Sequence, residues 1–365
     1  MTLPARKTAA RAEAQRLLRR FRDHGAEEVE ARILQPAEEL LDLYGEDIRA
    51  RAFVTQDPLR GEMMLRPDFT VPVVRMHMEA GLDPARYAYA GEVFRAQDTE
   101  DESRPSEYLQ AGFEVFGGTD PAEAEAEVFA VLSGALPDLH LRAAMGDIGL
   151  LLAAVDGLAT SEPRKAALRR HVWRPRRFRA LLDRYAGRAP LPAGRVELLA
   201  HPDPLALAEA GPEIGLRSRE EVEARVRMLR EDAATPPLAD EAVDLIDAIL
   251  SIAAPARSAL ATLRGLGAPS LAHALDRLER RLDALERRGV DPNGVAFEGS
   301  FGRTTLEYYD GFVFGLFAEG RPDLPPVATG GRYDALTRVL GRGRAVPAVG
   351  GVIRPELVVR LRKAR

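Results

Sequence analysis

Residues 87–117 read YAYAGEVFRAQDTEDESRPSEYLQAGFEVFG. Two apolar runs with a period of two, Tyr87 to Arg95 and Gln110 to Phe116, flank a polar segment without helical periodicity. The pattern predicts two strands joined by a long loop, an antiparallel hairpin. Side chains alternate along a strand, so Gln110 and Glu114 fall on one face and Phe113 and Val115 on the other, with Arg95 ending the partner strand. One face is apolar; the other offers an amide, a carboxylate and a guanidinium. Spacing alone favours a solvated sheet surface over a ligand site.

Composition narrows the classes around this hairpin. With 365 residues, 46% of them hydrophobic, the chain can bury a sizeable core and is expected to form two compact units. It has no cysteine, which excludes disulfides, thiolate metal sites and cysteine nucleophiles, and its six histidines are scattered without metal-ligand spacing. No metal and no cofactor are expected. No apolar run approaches the ~20 residues of a membrane helix, and no signal peptide is legible, so a cytoplasmic protein is expected. The net charge of -5 does not advertise nucleic-acid binding, but charge is uneven along the chain. Eleven Arg or Lys stand against one acid, Asp183, between Arg164 and Arg195; five acids stand against one base, Arg104, between Asp98 and Glu107. The basic segment, with Trp173 in it, reads as a solvated helix face, a surface for an acidic protein, or a grip on RNA.

Upstream of the hairpin, residues 4–24 carry Leu17, Leu18 and Phe21 on one helical face, and Gly25 stops that helix. A strand over Val29 to Pro36 follows. Met63 to Leu65 reads as a short strand, and Pro67 introduces a helix running to Glu79 that Asp68 or Thr70 would cap. Downstream, Pro121 to Leu132 is an acidic helix and Leu139 to Met145 a strand. From Leu150 to Val290 the chain reads as mostly helical, with a capping box at Ser218 and Glu221 and a leucine stripe at Leu271, Leu275, Leu278, Leu282 and Leu285. Strand patterns return from Val295 through Thr305 to Phe317, and Thr329 to Val359 reads as loop, strand and helix.

Phe94-Arg95 and, after the loop, Gln110-x-Gly112-x-Glu114-Val115-Phe116-Gly117 strongly resemble motif 2 of the histidyl-tRNA synthetase family of class II synthetases. Leu65 to Thr70, Leu306-Glu307-Tyr308-Tyr309, Gly330 to Asp334 and Pro347 to Gly350 resemble further motifs of that family in the same order. Gly25 to Pro36 looks like motif 1, the dimer interface. The resemblance implies an α+β fold: an antiparallel sheet flanked by helices, built from residues 1–149 and 291–365, with a mainly helical insertion at 150–290. It also implies a histidine pocket, with Asp68, Thr70 and Gln110 facing the ammonium, Glu114 with Tyr308 or Tyr309 on the imidazole, and Arg95 on the carboxylate.

The same comparison shows what an adenylate-forming enzyme would lack. The motif 2 loop is acidic, Gln97 to Glu102, where the synthetases carry a basic one. Thr304 stands where they place an arginine, and Glu356 is followed by Leu357 where motif 3 has arginine. Arg95 and Arg332 survive. Eight residues follow Leu357, in the position where a synthetase continues into an anticodon-binding domain. Among relatives of this core, the combination is similar to the regulatory subunit family of ATP phosphoribosyltransferase. Membership would imply a non-catalytic partner of a short-form catalytic subunit in the first step of histidine biosynthesis, within a hetero-octamer, that takes part in feedback inhibition by histidine. The alternative is an active histidyl-tRNA synthetase-like enzyme forming an aminoacyl adenylate; a third reading is an amino-acid sensor for another partner.

Overall fold

The computed structural model describes residues 3–37, 49–98, 105–203, 218–304 and 308–363. Helix α1 (Leu3–Asp23) buries Leu17, Leu18 and Phe21 and ends at Gly25, whose φ of 81° favours glycine. Strands β1 (Glu27–Glu28), β2 (Leu34–Pro36), β3 (Val54–Asp57) and β4 (Gly61–Leu65) follow, so of the expected strand over Val29 to Pro36 only the last three residues form one, with β1 just ahead of the stretch. Helix α2 (Thr70–Ala80) starts later than expected, and Phe69 takes its N-cap position without a side-chain bond. Asp68 nevertheless accepts the Val71 N–H at 3.4 Å.

The hairpin forms as β5 (Ala85–Phe94) and β6 (Glu107–Phe116), in the register Tyr87 opposite Glu114 and Gly91 opposite Gln110. Its apolar face packs on α1, with Phe113 and Phe21 at 5.8 Å between ring centres. Next come α3 (Pro121–Gly134), started by Asp120 accepting the Ala122 N–H, and β7 (Leu141–Asp147). Helices α4 (Ile148–Asp156), α5 (Glu162–Arg170), α6 (Pro175–Tyr185), α7 (Ala193–Ala200), α8 (Arg219–Ala234) and α9 (Asp240–Ser251) follow. Then come β8 (Ala253–Pro255), α10 (Ala256–Gly265), α11 (Ala272–Arg287), β9 (Val295–Glu298), β10 (Phe312–Ala318), β11 (Ala328–Arg332), α12 (Asp334–Leu340), β12 (Ala348–Ile353) and α13 (Pro355–Lys363).

Among the described residues one sheet has nine strands in the order β1-β5-β6-β12-β11-β10-β7-β9-β8, and β2-β4-β3 form a second, smaller sheet. The large sheet is antiparallel as expected, except where β1 meets β5 and β7 meets β9. Parallel neighbours need long crossovers, and both joints have one: β1 and β5 are separated by the small sheet and α2, β7 and β9 by the helical stretch.

The chain divides into two compact units, residues 1–150 with 249–365, and residues 151–248. The second unit is therefore shorter than the expected insertion of 150–290. Residues 249–290 belong to the first because β8 extends its sheet beside β9, and because Arg281 of α11 is buried there between Glu125 of α3 and Asp147 of β7. The leucine stripe, from Leu271 to Leu285, is buried in this unit.

Within the second unit, Leu168, Val172, Phe178, Leu182, Val226, Val243 and Ile246 are buried. The predicted capping box at Ser218 and Glu221 forms. Much of the arginine-rich segment is tied down inside the unit: Arg164 and Arg195 on Asp232, Arg169 on Asp156 and Glu162, Arg179 on Asp247, Arg188 on Asp240. No helix among the described residues is long and apolar enough to cross a membrane.

Candidate functional site

The polar face of the hairpin forms the floor of a cleft of about 1300 Å³ in the first unit. Six of the seven residues expected at a ligand site line it: Asp68, Thr70, Arg95, Gln110, Tyr308 and Tyr309. Asp68 lies ahead of α2, only 2% exposed, and accepts the Tyr308 hydroxyl at 3.2 Å. The Tyr308 and Tyr309 rings meet edge to face, 4.9 Å between centres. Arg95, just past β5, donates from Nε to the Pro67 carbonyl at 2.8 Å. Gln110 on β6 is 2% exposed, and its Oε1 has no hydrogen-bond partner among the described residues. A buried acceptor left unpaired is costly, so this atom is suited to accept from a ligand in the cleft.

The seventh residue, Glu114, lies on the same face of β6 as Gln110 but is covered by Thr70, Tyr89 and Tyr333 and does not line the cleft. Its Oε1 accepts the Tyr89 hydroxyl at 2.6 Å and the Thr70 hydroxyl at 3.3 Å, and its Oε2 accepts the Tyr333 hydroxyl. Burial pushes its carboxyl up to about 7, against the pull of the Tyr333 and Tyr89 hydrogen bonds. Burial, followed by the Glu114 charge, likewise raises the Tyr89 and Tyr333 phenols, which stay donors. In place of the imidazole contact expected of it, Glu114 holds the Thr70 hydroxyl from behind. A glycine makes the room. Gly350 lies opposite Glu114 in the β12–β6 register, and a Cβ there would stand 1.4 Å from Oε2.

Arg332, expected to survive as a phosphate-facing arginine, is 2% exposed and does not line the cleft. Its Nε donates to Glu125 of α3 and its Nη1 to Asp334 at 2.7 Å. Glu125 also takes Arg281; burial pushes its carboxyl up, but Arg281, Arg332 and Arg277 outweigh this and hold it below the ordinary range. Two opposed elements thus lock Arg332 into the scaffold. Thr304 lines the cleft, whereas its neighbour Arg303 does not. Of the acidic loop, residues 99–104 lie outside the described residues, as do Leu306 and Glu307.

Sequence motifs also missed part of the wall. Lys7 of α1 and Arg354, Arg360 and Lys363 at and along α13 line the cleft, although none belongs to a motif expected to carry positive charge. Helical spacing held the signal, because Glu356, Arg360 and Lys363 stand at i, i+4 and i+7 and so share one face. Among the described residues no group of three His, Cys, Asp or Glu could hold a metal ion.

The family pattern described as histidyl-tRNA synthetase matches residues 2–358. The chain is 33% identical over 345 residues to the ATP phosphoribosyltransferase regulatory subunit of Brucella canis, covering 89% of this chain and 90% of that one. Its identity to the protein of that name from Brucella anthropi is 34% over 346 residues, with the same coverage. Among solved structures, one described as an ATP phosphoribosyltransferase regulatory subunit/histidyl-tRNA synthetase from Bacillus halodurans superposes with a TM-score of 0.69 at 22% identity, covering 99% of this chain and 81% of that chain. The histidyl-tRNA synthetase of a Nostoc species superposes at 0.64 and 17% identity, covering 100% of this chain and 74% of that one. At these identities the structures show the fold, a class II synthetase-like α+β core.

Proposed function

The chain belongs to the ATP phosphoribosyltransferase regulatory subunit family, built on the histidyl-tRNA synthetase core, and we propose that it regulates a separate catalytic subunit and catalyses no reaction itself. In this reading it associates with a short-form ATP phosphoribosyltransferase in the cytoplasm, is required for that subunit's activity in the first step of histidine biosynthesis, and mediates feedback inhibition by histidine. The assembly would be a hetero-octamer whose regulatory subunits pair through the segment from Gly25 to Pro36.

One observation carries the effector role: a buried acceptor without a donor among the described residues, Gln110 Oε1, faces a cleft that also offers Asp68, Thr70 and Tyr308. An ammonium group supplies the missing donors, and a second acceptor on Asp68 suits its charge. Arg95 at the rim matches a ligand carboxylate, and the paired rings of Tyr308 and Tyr309 offer an imidazole an aromatic wall with a hydroxyl. Glu114 enters as the group behind Thr70. The burial of Arg332 speaks against adenylate formation, since that arginine is occupied by Glu125 and Asp334.

The purified chain, mixed with a short-form catalytic subunit, should restore phosphoribosyl transfer that neither shows alone, and histidine should suppress it. By calorimetry Asp68→Ala and Gln110→Ala should each weaken histidine binding at least about tenfold, the effect of removing a buried polar partner from a ligand. ATP–pyrophosphate exchange with histidine by the chain alone would overturn this reading in favour of an active synthetase-like enzyme.

A further inference from the structure

Three hydroxyls meet on one buried carboxylate, and only one of the residues that carry them reaches the cleft. Glu114, 1% exposed, accepts from Tyr89 of β5 at 2.6 Å, from Thr70 of α2 at 3.3 Å, and from Tyr333 ahead of α12. Thr70 lines the cleft, whereas Glu114, Tyr89 and Tyr333 do not. A hydroxyl has one proton to give, so while Thr70 donates to Glu114 its oxygen has only lone pairs to offer a ligand.

What Thr70 offers therefore depends on whether Glu114 carries a proton of its own. An ionised Glu114 draws all three hydroxyl protons. A protonated one must place its O–H on a neighbouring oxygen, and of the three hydroxyls only that of Thr70 can then turn into the cleft. At one atom the ligand meets an acceptor in the first state and a donor in the second. An ammonium group needs the acceptor; a ligand hydroxyl accommodates either, because it both donates and accepts.

The surroundings bring the two states within reach of each other. Burial pushes the Glu114 carboxyl up to about 7, against the pull of the Tyr333 and Tyr89 hydrogen bonds, and the charge of Asp68 adds to the rise. Asp68 itself takes the Tyr308 hydroxyl at 3.2 Å. The phenols of Tyr89, Tyr309 and Tyr333 are raised by burial first and by the Glu114 charge second, so they stay protonated. Tyr87, opposite Glu114 in the hairpin register, shares a hydrogen bond of 3.2 Å with His77 of α2, and burial holds that imidazole below its ordinary value. From β12 the residue opposite Glu114 is Gly350, which has no side chain to titrate.

We propose, on the reading of the cleft as a histidine site, that Glu114 is a positioning residue: ionised, it fixes Thr70 as an acceptor and makes the site select an ammonium group over a hydroxyl, and on taking up a proton it releases that selection. By linkage, an ammonium ligand favours loss of the Glu114 proton, and a hydroxyl ligand does so less.

Calorimetry on the full chain with histidine and with imidazole-lactate, which carries a hydroxyl in place of the ammonium, tests this. From about pH 5.5 to about pH 8 the preference for histidine should rise at least about fivefold more in the parent chain than in Thr70→Val, a comparison in which titration of the ligands themselves cancels. Glu114→Gln cannot ionise and should follow the Thr70→Val profile, with no further change in the double variant. Parent against Thr70→Val leaves the buried carboxylate intact, so it decides even where Glu114→Gln fails to fold. Identical profiles in those two chains would overturn the switch. So would an effect of Glu114→Gln on the preference that persists in the Thr70→Val background, which would make Glu114 a charge or packing element only. Histidine binding to neither the parent nor Thr70→Val at any pH would instead overturn the reading of the cleft, and this role with it.

Discussion

Thr70 donates its hydroxyl to Glu114 Oε1 at 3.3 Å, so a threonine on the cleft wall is oriented by a carboxylate that the cleft does not reach. The donor is spent on the acid behind it. The lone pairs of Thr70 are what remain to accept a hydrogen bond from the cleft.

That arrangement makes stability depend on pH. The Glu114 carboxyl is raised by burial to about 7 in the folded chain, from an ordinary value near 4.5. The folded state therefore holds a proton that the unfolded state has released between these values, and stability from this group, full below about 4.5, is lost as pH rises through about 7. A shift of this size corresponds to about 3 kcal/mol. Glu114→Gln removes the titration. Its melting temperature relative to the parent chain should rise between pH 5 and pH 8; a difference independent of pH would exclude a raised Glu114.

Gly350→Ala tests the packing over the same carboxylate. The added Cβ would stand 1.4 Å from Glu114 Oε2, so the buried carboxylate must move and give up its hydrogen bonds from Tyr333, Tyr89 and Thr70. A loss of at least about 2 kcal/mol in denaturant unfolding is expected, as for overpacked cores. Gly134→Ala, at the exposed end of α3 where nothing lies within 4 Å, serves as the control and should change stability by less than about 1 kcal/mol.

Arg281→Met should be among the most damaging single changes in the first unit. Arg281 is 0% exposed, donates to Glu125 and to Asp147, and stacks 4.4 Å from the Phe312 ring. Methionine fills much of the volume but leaves two buried carboxylates short of a partner, a loss of about 3–5 kcal/mol. Equilibrium unfolding in urea reads it directly.

In the second unit, Arg164→Met should cost about 2 kcal/mol, because Arg164 donates to Asp232 and to the carbonyls of Pro236, Asp232 and Thr235. Arg176→Glu, on the exposed side of α6, should stay within about 0.5 kcal/mol of the parent. Equal effects of the two would show that the basic segment is one undifferentiated solvated face.

The hairpin, the alternation that sets Gln110 and Glu114 opposite Phe113, the leucine stripe and the capping box were legible because each depends on neighbours two to four residues apart. Local periodicity encodes such features whatever the rest of the chain does. The six cleft residues, though far apart in sequence, were legible through motif order. The burial of Glu114 and Arg332 was not, since Tyr89, Tyr333, Glu125 and Gly350 reach them from other elements.

The sequence by itself determined the class of fold, its central hairpin and the residue types on the hairpin's polar face, because side-chain alternation and residue type are written along the chain. Only the tertiary structure decided which charges meet. It covered Glu114 with Thr70, Tyr89 and Tyr333, withdrew Arg332 into the scaffold, brought Lys7, Arg354, Arg360 and Lys363 to one cleft, and returned residues 249–290 to the first unit. Burial and electrostatic pairing depend on distances between residues remote in sequence, and those distances exist only once the sheet has assembled.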